Sequence, residues 1–304
     1  MKDDRKKLQI QAETALHEKN YQLAVDLFSK LYLTKKSARG NFFLVQALAG
    51  LKDYSVALEF AQEYINSYLA EDERLVFYIH VAVFAGKSLK VYQLLESLKP
   101  YLTASESQLF YSTLSFEFEL FEQQGIVDIA QLKKQLHYLG ALEPLKQRTV
   151  AKKAAALSYQ DFVVVIKDVL VDKNVHPIVR TSFLNDLRLL NAREEFDFQS
   201  FLNGKMRLIP QQLKGLDQTE AFQSYAALIL GDTSRPTNLS QQILDEITLK
   251  LMILYPNFLE VEQKQDLWYH VLLNEQQFLK ATESYAQIAT KLEKSIAEWG
   301  PSSK

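Results

Sequence analysis

Residues 8–31, LQIQAETALHEKNYQLAVDLFSKL, carry two helical periods separated by a short polar turn. Leu8, Ala12 and Ala15 recur on one face of the first segment, and Tyr21, Ala24, Phe28 and Leu31 on one face of the second. Side chains three and four residues apart share a helix face, so both segments read as amphipathic helices joined at Glu18-Lys19-Asn20. Alanine at a crossing lets two helix backbones approach, while the aromatic residues fill the space beside the contact. A single pair of this kind cannot bury its apolar face and needs stacked neighbours.

The neighbours follow at a regular interval. A second pair reads as Ala38–Leu51 and Tyr54–Leu69, with its turn at Lys52-Asp53. Tyr54 follows Tyr21 by 33 positions (54 − 21), and Ala57 falls where Ala24 fell. Ala61 stands where a large residue is expected, and Tyr64 supplies bulk one turn later. A third pair covers Asp72–Ala85 and Leu89–Leu98 and is closed by Pro100, whose ring blocks further helical hydrogen bonding. A fourth, Ser105–Gln124 and Val127–Leu139 around Gly125, fits the pattern poorly.

Past Gly140 the period is lost. Leu145–Ala156 and Tyr159–Val171 read as helices, Asn174 to Pro177 as a turn, and the following IVRTSFLNDLRLLN as a helix well started by Pro177. Glu195–Phe201 then alternates, with Phe196, Phe198 and Ser200 set against Asp197 and Gln199; Asn203-Gly204 and the strand Met206–Ile209 come next. Asn-Gly between alternating residues predicts a tight hairpin whose two turn residues both have positive φ. The remainder reads as helices over Thr219–Leu230, Leu239–Tyr255, Glu260–Asn274 and Gln276–Trp299. A loop covers Gly231–Asn238, Pro256 marks a break, and Gly300–Lys304 is expected to be a disordered tail.

Ala24-x-x-x-Phe28 on the second helix, with the repeat of 33, resembles the tetratricopeptide-repeat (TPR) family over roughly the first third of the chain. The resemblance implies an all-α, right-handed superhelical solenoid over 1–140, running into a divergent helical domain over 141–304 with one small β-hairpin at about 195–209. It also implies that the first helix of each pair lines a concave groove for a peptide or helix. In that register the groove residues are Gln9 and Glu13, then Arg39, Phe42 and Gln46, then Arg74, Phe77 and Val81. Gln9 and Glu13 occupy the positions of the family's Lys/Asn carboxylate clamp, which argues against chaperone-tail binding; Phe42 and Phe77 offer an apolar groove instead, or pack as core. The stretch His176-Pro177-Ile178-Val179-Arg180-Thr181, the Phe196–Pro210 hairpin and Leu254-Tyr255-Pro256 are similar to a group of TPR-containing proteins of low-GC Gram-positive bacteria. That similarity implies a cytosolic helical-repeat protein and transfers no catalytic residue.

The composition agrees. Among 304 residues, 47% are hydrophobic and 24% charged, with only 9 Gly and 7 Pro to interrupt long helices. The net charge of −2 exerts no global pull on nucleic acid or anionic lipid. With no cysteine there are no disulfides or thiolate chemistry, which suits a cytoplasmic setting. The N-terminus MKDDRKKLQI has no apolar core of a signal peptide. The apolar runs Leu75–Ala85 and Phe162–Val171 fall short of the roughly 20 residues that cross a bilayer, so no membrane partner is expected.

A search for chemistry finds no catalytic, cofactor or metal motif. Gly86-Lys87-Ser88 imitates the end of a phosphate-binding loop, but Val81 stands where its first glycine belongs and no strand precedes it. The histidines (His17, His80, His137, His176, His270) are scattered and read as helix-surface or capping residues, and the doublets Asp3-Asp4, Glu71-Asp72-Glu73 and Glu194-Glu195 as charge balance at helix starts and turns. Lys133, Lys134, Lys146, Arg148, Lys152 and Lys153 form a basic cluster at the junction of the two halves. Without interleaved aromatics it reads as a solvated face rather than a nucleic-acid surface. The expectation is a non-enzymatic scaffold or adaptor that binds a protein or peptide in its groove. The alternative is a peptide-sensing regulator of the bacterial TPR type without its own DNA-binding domain.

Overall fold

The computed structural model describes residues 2–279 and 283–300, with the side chains of 2–4 and of Gln276 left aside; 301–304, most of the expected disordered tail, lie outside the described residues. Among the described residues there are eighteen α-helices and one two-stranded antiparallel sheet, an all-α chain with a small hairpin. It divides into two compact units, Met1–Ile129 with Ala155–Ser158, and Ala130–Ala154 with Tyr159–Lys304. Residues 130–154, on either side of the change expected at 140, belong to the second unit.

The first unit is built from α1 (Lys2–His17), α2 (Tyr21–Thr34), α3 (Ala38–Gly50), α4 (Tyr54–Glu63), α5 (Ile65–Leu69), α6 (Asp72–Phe84), α7 (Ser88–Leu98) and α8 (Ala104–Gln123). Each helix from α1 to α4 packs on the next, α4 and α5 pack on α6, and α6 packs on both α7 and α8. The alanines sit at the crossings: Ala12, Ala24, Ala57 and Ala61 are each 0% exposed. Three hairpins close in one way. Lys19, Lys52 and Gly86 have φ of 60, 63 and 70°. Each donates its N–H to the carbonyl three residues back, and the next residue's N–H reaches five back (Lys19 to Leu16 and Asn20 to Ala15; Lys52 to Ala49 and Asp53 to Leu48; Gly86 to Val83 and Lys87 to Ala82). This is the Schellman closure, which satisfies carbonyls that a helix end leaves open.

One expected helix is two. Tyr54–Leu69 breaks at Tyr64 (φ −128°, ψ 32°), which separates α4 from α5. The break goes with Tyr68, 0% exposed, whose hydroxyl donates to Asn41 Oδ1 at 3.0 Å while Asn41 Nδ2 donates to the Phe60 carbonyl at 2.7 Å. Tyr68, not Tyr64, fills the core.

The second unit begins with α9 (Ile129–His137), α10 (Pro144–Lys153), α11 (Tyr159–Val171) and α12 (Pro177–Leu189). The strands β1 (Phe196–Gln199) and β2 (Lys205–Leu208) come next, then α13 (Glu220–Gly231), α14 (Thr237–Leu254), α15 (Leu259–Gln263), α16 (Gln265–Leu272), α17 (Gln276–Leu279) and α18 (Glu283–Trp299). The hairpin forms in the register Phe196↔Leu208 to Gln199↔Lys205, but its turn is not the tight one expected. Five residues, 200–204, connect the strands; Ser200 N–H donates to the Gly204 carbonyl at 2.8 Å, and Gly204 (φ 72°) rather than both Asn203 and Gly204 takes the positive φ. Gln199, expected on the polar face, is buried; its backbone carbonyl accepts from the buried Arg180 Nε at 3.1 Å, and its side-chain Nε2 donates to the Ser200 carbonyl at 3.0 Å. Arg180 also donates to the carbonyls of Asp172 and Val175, locking the turn before α12, and burial pulls its pKa down to about 10. The helix expected over Glu260–Asn274 is likewise interrupted, at Lys264.

Two further polar groups hold this unit. Gln147 on α10, 2% exposed, donates to the Leu142 and Asn174 carbonyls and accepts from His176 N–H at 2.7 Å. Lys250 on α14, 0% exposed, donates to Glu246, Glu293 and the Leu272 carbonyl, each at 2.5 Å. A buried ammonium tolerates burial when its three N–H bonds all find acceptors, as here.

Candidate functional site

The groove residues expected from the repeat register lie on α1, α3 and α6. Gln9 Nε2 donates to Glu13 Oε1 at 2.9 Å one turn along α1. Glu13 in turn accepts from Arg39 Nη2 on α3 at 3.3 Å, with side-chain exposures of 69% for Arg39 and 36% for Glu13. An ion pair this exposed contributes about 0–1 kcal/mol, so it orders the surface more than it stabilises the fold. Further along α3, the Phe42 ring meets Phe77 of α6 edge-on at 5.6 Å, and the Arg74 guanidinium lies over Phe42 at 5.0 Å while its Nε pairs with Glu71 at 3.0 Å. Phe42 and Phe77 are half-buried, neither core nor free, because Phe42 also packs on Tyr68 and Phe43. Gln46 is half-buried one turn on from Phe42.

Val81 corrects the set. It is 0% exposed, because α6 is packed by α4, α5, α7 and α8 and its C-terminal half has little free circumference. Val81 belongs to the core and presents nothing to a partner.

Beside this surface is a cleft of about 230 Å³, lined by Arg5 and Gln9 of α1, Phe28, Leu31 and Tyr32 of α2, Lys35 and Ser37 of the connection, and Arg39, Gly40 and Phe43 of α3. Its floor is aromatic. Phe28 and Phe43 stack with ring centres 5.5 Å apart and planes 16° from parallel, and the Arg39 guanidinium lies over Phe43 at 5.5 Å. Tyr32 donates its hydroxyl to Glu63 Oε2 at 2.7 Å; burial first, and the bonded carboxylate second, push its pKa up to about 12. The same bonds, from Tyr32 and Lys36, hold Glu63 below the usual carboxylate range. Ser37 caps α3 by accepting from Gly40 N–H at 3.1 Å. Only Gln9 and Arg39 of this cleft were legible as groove residues. Arg5 sits before the first apolar position of α1 and Lys35 between helices, where helical periodicity gives no signal.

The second unit has its own cleft, of about 410 Å³, between α11 and the hairpin. Its charges are already matched: Arg207 pairs with Asp197 at 3.1 Å and lies 3.9 Å from Glu195, and Lys167 pairs with Glu194 at 3.1 Å. The basic cluster lies wholly within this unit rather than between two halves. Lys133 is bound to Asp161 at 2.6 Å and Arg148 lies over the Trp299 ring at 5.2 Å, leaving Lys134, Lys146, Lys152 and Lys153 exposed.

Four of the five histidines are engaged in packing and capping, and His17 is exposed at the end of α1. His80 bonds Glu117 at 2.8 Å, His137 faces Asp168 at 3.2 Å and His270 bonds Glu275 at 2.6 Å. His176 caps α12, accepting from Ile178 N–H at 3.2 Å, while its Nε2 donates to the Ser295 carbonyl at 2.9 Å. Gly86-Lys87-Ser88 is the turn between α6 and α7, with no strand before it. Among the described residues no group of three His, Asp or Glu side chains is placed to hold a metal ion, and no helix is long and apolar enough to cross a membrane. No protein-family model, curated protein or solved structure matches the chain.

Proposed function

We propose that the protein is a non-enzymatic interaction scaffold of the TPR type, cytoplasmic, and that it binds a peptide or helix on the faces of α1, α3 and α6. One observation carries this reading. Partly exposed side chains of three non-adjacent helices meet one another, Glu13 with Arg39 and Phe42 with Phe77 and Arg74, so polar and aromatic groups form one continuous strip. A strip of aromatic and Arg side chains rimmed by charge is the composition that protein interfaces favour. The repeated helix closures at Lys19, Lys52 and Gly86 add support, since they give three hairpins a common build.

Site-specific photo-crosslinking tests this. A benzoylphenylalanine at Gln46 should crosslink discrete proteins in cells, and Arg39→Glu with Arg74→Glu should abolish those adducts without changing helical circular dichroism. The same probe at Val164 of the second unit, 68% exposed, is the control. Equal adducts from both positions, or none from Gln46, would sink the proposal.

A further inference from the structure

We infer that the cleft at α1, α2 and α3 takes an acidic segment of a partner protein, its carboxylates paired to Arg5, Lys35 and Arg39. The inference rests on the scaffold reading and gives that partner its chemistry.

Charge is the first argument. The lining contains three cations and no carboxylate, whereas the cleft of the second unit has Asp168, Glu195 and Asp197 against Lys167 and Arg207. Among the described residues the acid paired with these cations is Glu13, on Arg39, and an ion pair so exposed exchanges readily for an incoming carboxylate. The positive end of α3, capped by Ser37, faces the same space and favours negative charge there.

Size and floor supply the second. About 230 Å³ lies below the roughly 300–1,000 Å³ of pockets for drug-sized ligands and cofactors, so the cleft suits one inserted side chain rather than a whole small molecule. Its floor is already committed to packing: Phe28 is 2% and Tyr32 4% exposed, and Arg39 covers Phe43. Those ring faces are not free to stack nucleobases, which favours an acidic peptide over a single-stranded nucleic acid that would use the same cations.

Selection of a random peptide display library on the full-length protein tests the inference. Enriched peptides should be biased toward Asp and Glu. Synthetic copies should bind the triple variant Arg5→Glu, Lys35→Glu, Arg39→Glu about tenfold or more weakly, and lose affinity between 50 and 200 mM salt as screened ion pairs do. Lys134→Glu with Lys152→Glu and Lys153→Glu should leave binding unchanged. Should charge reversal disturb folding, the same three positions as Gln give the same ordering with a smaller loss. Peptides without acidic bias, or indifferent to the triple variant, overturn this inference and leave the scaffold reading standing. Displacement of the acidic peptides by an oligothymidylate that itself depends on the three cations assigns the cleft to nucleic acid and overturns it as well. Recovery of no binding peptide at all counts against both readings.

Discussion

A single ring ties the last helix of the chain to the start of α12. His176 is 4% exposed, its Nδ1 accepts from Ile178 N–H, its Nε2 donates to Ser295, and it stacks on Trp299 with ring centres 4.9 Å apart. Both ring nitrogens are used by the neutral form, and a proton on Nδ1 would set two N–H groups against each other. Burial lowers the His176 pKa; the Ser295 carbonyl and Glu298 oppose this, and Arg180 adds to it. A histidine depressed in the folded state is protonated first in the unfolded chain. Its contribution is therefore complete above the ordinary value of about 6.5 and is lost as pH falls below it. Stability should drop by up to about 1 kcal/mol between pH 7.5 and 5.5 through this residue. His176→Asn, which keeps a capping acceptor, should have a shallower pH dependence in urea titrations; equal slopes would remove His176 from the account. As a capping residue His176 was readable from the following Pro177, but its tie to Ser295 joins positions far apart in sequence, where no local pattern reaches.

At the scale of elements, spacing was a good guide wherever a helix is bounded by a turn residue or a cap. Tyr159–Val171 is found as read, and the closures at Lys19 and Lys52 lie in the turns expected. The breaks at Tyr64 and Lys264 escaped because neither has a glycine or proline to announce it; tertiary packing places them. The hairpin turn failed for a related reason. Ser200 and Gly204 close a wider loop than Asn-Gly alone would, and Gln199 is buried although the alternation puts it on the polar face. Of the residues on the proposed strip, those on α1 and α3 are partly exposed as their periodicity suggests, while Val81 is buried, since periodicity says which residues share a face but not how many neighbours cover it. One close approach makes a sharp prediction. A Cβ on Gly50 of α3 would fall 2.3–2.6 Å from ring atoms of Tyr21 on α2. Gly50→Ala should cost about 1–3 kcal/mol by overpacking, although alanine is the better helix former. Tyr21→Ala in the same chain should restore part of it in thermal melts. A Gly50→Ala variant as stable as the parent would mean the α2–α3 contact is looser than these distances require.

The whole molecule is two compact units with an interleaved chain. The low Gly and Pro counts framed a protein of long helices, and the repeat fades in the sequence past Gly140. Leu132 and Leu136 of α9, with Leu139, are buried and belong to the second unit, ahead of the position where the repeat fades in the sequence. A fragment of residues 130–304 should therefore be monodisperse and melt cooperatively. One of residues 141–304 should expose the surface those leucines cover and aggregate or melt broadly in calorimetry. Equal behaviour of the two would put the boundary back near 140.

Because Ala155–Ser158 belong with the first 129 residues, the N-terminal unit cannot be completed in the order in which the chain is made. A ribosome must release α9 and α10 before the closing piece of the earlier unit emerges, so those two helices wait without their own neighbours during synthesis. Translation pauses, or a chaperone acting on a nascent chain that ends before Ser158, would bear on both units at once.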